Sequence, residues 1–162
     1  MTNALSILLR FAAYAAIIGL FLSSAAPAFS STASTDLPNL VPWPAVVAKG
    51  IIEFRNIGAA PAGPSHVYIS CRKTGSTSGG RCAGWFATPF PAGSVVSGDG
   101  VTIPVTGLAA GNAWMIGLDP VGGWRSWPPG TYIFTIRVDS RNEVKEANEA
   151  DNMGTGILTL PQ

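Results

Sequence analysis

Between Tyr132 and Asp139 the side chains change sides at every residue. Tyr132, Phe134, Ile136 and Val138 form an apolar face, and Ile133, Thr135, Arg137 and Asp139 the more polar one. A period of two is that of an extended strand with one face on a core, and no helix satisfies it. The same alternation recurs in shorter stretches. In Lys49–Arg55, Ile52 and Phe54 oppose Glu53 and Arg55; in His66–Cys71, Val67, Ile69 and Cys71 oppose Tyr68 and Ser70. Trp85–Ala87, Val101–Val105, Trp114–Leu118 and a last run near Gly156–Leu160 read as further short strands. Turn signals separate them: Asn56-Ile57-Gly58, Gly107–Gly111 and Pro128-Pro129-Gly130. Pro38, Pro42 and Pro44 limit the apolar stretch around Leu40, Val41 and Trp43 to an edge strand. The expectation is an all-β fold, an antiparallel β-sandwich of about seven strands.

Composition excludes the main competitors. Only 12 % of residues are charged, too few for a helical bundle, while 47 % are hydrophobic, too many for a disordered chain. The formal net charge of +1 offers no electrostatic footprint for nucleic acid. Arg10, the apolar run Phe11–Leu22 and the small residues Ser23–Ala28 follow the order of a secretory signal. The run is shorter than the roughly 20 apolar residues of a membrane span. Residues 1–30 are therefore expected to be a cleaved signal peptide, residues 31–36 a flexible leader, and 37–162 the folded domain. The mature chain is expected outside the cytoplasm, periplasmic or extracellular, without membrane insertion. An oxidising compartment favours a disulfide between Cys71 and Cys82, closing a hairpin whose tip is Lys73–Gly80. A loop of that length stabilises by about 3 kcal/mol in the chain-entropy picture.

Four stretches carry a resemblance to a known family. They are Pro38-Asn39-Leu40-Val41; Ile52–Gly58, ending in Asn-x-Gly; Leu108-Ala109-Ala110-Gly111; and Pro129-Gly130-Thr131-Tyr132 with its continuation to Asn152. In the last, Val138-Asp139, Asn142, Val144, Glu146, Asn148-Glu149 and Asp151-Asn152 form the most specific pattern. The chain resembles the CARDB domain, the cell adhesion related domain found in bacteria, from residue 37 to about 160, with Asn39 where Asp is usual. The resemblance implies an immunoglobulin-like sandwich and a module of surface or secreted proteins. Gly130-x-Tyr132 is similar to the tyrosine corner of such sandwiches, in which the hydroxyl bonds nearby backbone.

Two polar stretches are candidate sites. Asp139, Asn142, Glu146, Glu149 and Asp151 could offer oxygens to Ca²⁺. The EF-hand template does not fit, because Arg141, Val144 and Ala150 occupy positions that should hold an acid, a glycine and the closing Glu. The alternative is a structural connection whose Asn and Asp side chains bond turn backbone. Trp124, Arg125 and Trp127 could present a surface for sugar stacking or protein anchoring, or else plug the end of the sandwich. Trp85-Phe86 has the same two readings, whereas Trp43 and Trp114, placed on strands, are expected in the core. His66 beside Ser65 is not a nucleophile–base pair, since such partners are assembled by the fold and need an orienting acid, and it reads as structural. With no phosphate loop, nucleophile elbow or facing carboxylate pair, the chain is expected not to be an enzyme. The functional expectation is a secreted binding or adhesion module for a protein or cell-envelope polymer. The alternatives are a structural or regulatory subunit of an exported assembly, or a carbohydrate- or calcium-binding domain.

Overall fold

The computed structural model describes residues 36–75, 82, 90–118, 125 and 127–162. Two antiparallel sheets account for nearly all its regular structure. The smaller sheet holds β1 (Leu40–Pro42), β2 (Ile51–Asn56) and β6 (Ala113–Gly117), in the order β1-β2-β6. The larger holds β3 (Ser65–Lys73), β4 (Val95–Ser97), β5 (Gly100–Val105), β7 (Gly130–Arg137) and β8 (Met153–Leu160), in the order β4-β5-β3-β7-β8. The expected all-β sandwich is therefore observed, with eight strands among the described residues. No helix among them is long and apolar enough to cross a membrane. The expected signal peptide, most of the leader, residues 76–80 of the hairpin tip and the Trp85–Ala87 strand lie outside the described residues.

Register places the apolar faces inward. Ile69 pairs with Ile136 and with Val101, and Cys71 with Phe134, so the buried row runs across three strands. From the other sheet Leu40, Ile52 and Phe54 meet it, each at most 1 % exposed. Trp114, expected in the core, is half-buried and packs against it, stacked on Phe54 with ring centroids 5.1 Å apart. Each such buried side chain contributes roughly 1.5–3 kcal/mol through removal from water. The disulfide is present: Cys71 on β3 is bonded to Cys82, with Cα atoms 5.5 Å apart and both residues buried.

Four local outcomes differ from the sequence expectation. Lys49 is not in a strand, because Pro44–Lys49 forms a 3-10 helix that ends at Gly50, whose φ of 77° reverses the chain into β2. Trp43 is not in the core. It follows β1, is 39 % exposed, and lies beneath the Arg55 guanidinium, 4.1 Å from the ring centroid. The strand ending at Asp139 stops at Arg137, since Asp139 takes a left-handed φ of 40°. The last strand starts earlier than expected, at Met153. The 3-10 helix lies against the inner face of β8, where a Cβ on Gly156 would come within 2.3 Å of Val47 Cγ2.

Candidate functional site

β7 carries one candidate site at each end. At its start Tyr132 donates its hydroxyl proton to the Pro128 carbonyl at 2.6 Å, which is the expected tyrosine corner. Burial raises the pKa of this phenol, so the hydroxyl keeps its proton and remains a donor. The corner directs Pro128 and Pro129 back over the sheet and seats Trp127, whose ring lies 5.1 Å from Tyr132 and 6.4 Å from Phe134. Trp127 is thus 8 % exposed and does not stand out as a stacking platform; its apolar surface is taken up by the core. Beside it opens a cleft of about 480 Å³ lined by Arg125, Trp127, Pro129, Ala48 and Leu160. Arg125 is exposed, and Trp124 lies outside the described residues.

At the far end, β7 and β8 are joined by the segment Val138–Asn152, closed at its base by Val138 N donating to Asn152 O at 2.9 Å. Asp139 and Asn142 both adopt left-handed backbone, a conformation that short polar side chains tolerate. The Asp139 carboxylate accepts from Glu143 N at 2.8 Å and Val144 N at 3.0 Å, which turns the chain and drops Val144 into the core. Glu149 accepts from Glu146 N at 2.9 Å. Glu146 points inward, accepting from the backbone N–H of Leu40 and, at 3.0 Å, from Asn152 Nδ2. Burial pushes the Glu146 carboxyl up to about 7, against the lowering by those two hydrogen bonds; the charges of Glu149 and Asp139 add to the rise.

The segment also grips the start of the domain. Ala147 N donates to Pro38 O at 2.9 Å, Asn148 N to Asn39 Oδ1 at 3.2 Å, and Asn39 Nδ2 to Asp151 Oδ2 at 3.1 Å. Asn39 N and Gly58 N both donate to Asn56 Oδ1, at 3.0 and 3.1 Å. All four stretches singled out in the sequence are therefore bonded into one network, the Leu108–Gly111 stretch through Asn56 Nδ2 donating to Leu108 O at 3.0 Å, although Asn39 and Asp151 lie 112 positions apart.

Of the five candidate metal ligands, Asp139, Glu146 and Glu149 come together, with one oxygen from each within 4.8 Å of the others. Asn142 lines the same cavity of about 320 Å³ as Asp139 and Glu149. Asp151 belongs to the Asn39 contact instead. Asn152, not among the candidates, lines this cavity too; it is 8 % exposed, and its Oδ1 is buried without a hydrogen-bond partner among the described residues. Its place at the end of the Glu-x-Asn-Glu-x-Asp-Asn run was the available signal. Arg137 completes the rim.

His66 is held structurally. Arg141 Nη1 donates to its Nε2 at 3.1 Å, so Nδ1 carries the proton given to Glu143 Oε2 at 2.7 Å. Ser140 donates from both its N and its Oγ to the His66 carbonyl.

No family model matches the chain, and no curated protein matches it. Two solved structures are similar to it. One is a domain of a Methanosarcina acetivorans protein described as a cell surface protein, 22 % identical, covering 78 % of this chain and 94 % of that one, with a TM-score of 0.42. The other is a CARDB domain from Pyrococcus furiosus, solved in complex with di-metal ions. It is 15 % identical and covers 78 % of this chain and 96 % of that one, with a TM-score of 0.40.

Proposed function

We propose that the chain is an exported, non-catalytic binding module that presents the cleft beside Arg125 and Trp127 to a protein or a cell-envelope polymer. The observation that carries this reading is the cleft itself, about 480 Å³ with an arginine and an aromatic edge on apolar walls, a size and lining typical of ligand sites. It opens beside the tyrosine corner, whose hydroxyl ties Tyr132 to the Pro128 carbonyl. The Cys71–Cys82 disulfide supports an oxidising compartment. The polar groups that could suggest catalysis among the described residues are engaged in turns and strand ties, as His66 is with Glu143 and Arg141. A binding survey over envelope glycans and polymer fragments tests the reading. A ligand whose affinity falls about tenfold or more in Arg125→Ala and in Trp124→Ala supports it, because losing one interfacial anchor costs more than about 1.4 kcal/mol. Co-purification of one stable exported partner without polymer binding would replace it with the subunit reading.

A specific observation favours a second property at the other pole. Asn152 Oδ1 is buried, unpartnered among the described residues, and beside three carboxylates that crowd one another. Asp139, Glu146, Glu149 and Asn152 would hold a divalent cation, and an all-oxygen donor set suits calcium better than zinc or copper. The ion would supply charge neutralisation and crosslinking, not catalysis. Calorimetric titration with Ca²⁺ of chelator-treated protein tests this, with a Tm that rises in Ca²⁺ over EDTA as the expected companion.

A further inference from the structure

Resting on that cation reading, we propose that occupancy of the acidic pole is a latch: it sets how tightly the backbone of the amino-terminal strand β1 is held at Leu40. The segment Pro38–Leu40 is held from two sides, by Asn56 and Ile57 at the end of β2 and by the cation-site loop. Four hydrogen bonds join it to Glu146, Ala147, Asn148 and Asp151, and one of them runs from Leu40 N to the side chain of Glu146, itself a member of the cluster. β1 contributes only three residue pairs to β2, the shortest strand pairing in the smaller sheet.

The coupling is electrostatic and steric. Glu146 is 5 % exposed and Asp139 1 %, so their like charges, with that of Glu149, meet in a poorly solvated space. Without a cation the repulsion is relieved by a proton on Glu146 or by outward rotation of Glu146 or Glu149. The first movement releases Leu40 N directly. The second removes the acceptor that holds Glu146 N. With a cation bridging the carboxylates, Glu146 is fixed from one side and Leu40 N is held from the other. Among the described residues lining the cavity, Arg137 is the one positive group. Asn56 and Ile57 hold Asn39 independently of the loop and the Leu40 side chain is buried in the core, so release is a local opening at the Leu40 amide and not a detachment of β1.

The experiment is amide hydrogen exchange on the chain with its disulfide intact, in saturating Ca²⁺ and in EDTA, beside calorimetric titration with Ca²⁺. Local opening is read by exchange protection. The latch predicts binding, with protection of the Leu40 and Val41 amides rising about tenfold or more in Ca²⁺ while Val101–Val105 changes little. Glu149→Gln, at an exposed position, should weaken binding and shrink that rise together. Binding without any change at Leu40 overturns the latch and leaves the cation site standing. No binding overturns both.

Discussion

Asn56 has no exposed surface, yet every polar atom of its side chain has a partner. Its Oδ1 accepts from Asn39 N and Gly58 N, and its Nδ2 donates to Ala60 O and Leu108 O. Removing such a hub leaves buried donors and acceptors unpaired, at roughly 1–3 kcal/mol each. Asn56→Ala should lower unfolding free energy by about 3 kcal/mol, read from the urea midpoint at constant slope. Glu146 makes a second prediction. Its folded pKa of about 7 lies above the ordinary carboxylate value, so the folded state holds the proton more tightly than the unfolded chain does. In EDTA, stability is therefore highest at low pH on this account and falls as pH rises from about 4.5 to about 7, by at most about 3 kcal/mol. Glu146→Gln should flatten that slope in pH-dependent urea melts; an unchanged slope would assign it to another group. The sequence made these residues visible as a motif without their partners. The Asn-x-Gly turn was legible at Asn56 and Gly58, but nothing local says that Asn56 also reaches Asn39 and Leu108.

Strands were legible wherever one face is buried, because burial imposes the two-residue period; β3, β5 and β7 are the clearest cases. The 3-10 helix was not. Its signal, apolar residues set among prolines, is shared by edge strands, and the surface that receives it is made by glycines. Gly154 and Gly156 on β8 leave room for Pro42, Pro44 and Val47, and a missing side chain has no pattern to read. Gly156→Val should force the 3-10 helix outward and cost about 1–3 kcal/mol, measured by thermal or chemical unfolding. Val47→Ala in the same protein should return part of that loss. β4 escaped the reading for a related reason: Val95, Val96 and Ser97 are all exposed, so no face is selected for apolarity. The disulfide acts between β3 and the segment that follows it. Cys71→Ser with Cys82→Ser should lower stability by about 3 kcal/mol, and reduction of the wild-type protein should reproduce the shift.

At the scale of the whole molecule, β7 separates two kinds of chemistry. The Gly130 end carries the tyrosine corner and the open cleft; the Arg137 end carries a loop whose carboxylates already bind backbone and tie the first strand to the last connection. That division explains why the candidate site was only half legible. The acidic pattern is contiguous and could be read along the chain, whereas the cleft is assembled from Ala48, Arg125, Pro129 and Leu160, which no local pattern groups. It also explains Trp127: an aromatic two positions from Arg125 packs on Tyr132 and Phe134 and also lines the cleft. The central claim, that the cleft pole is the recognition surface, is tested most directly by NMR titration of the labelled domain with the envelope ligand found in the binding survey. The account predicts amide shifts concentrated at Arg125, Thr159 and Leu160, with the Asp139–Asn152 segment unmoved. Shifts concentrated at Asp139–Asn152 with Arg125 and Leu160 silent would contradict it.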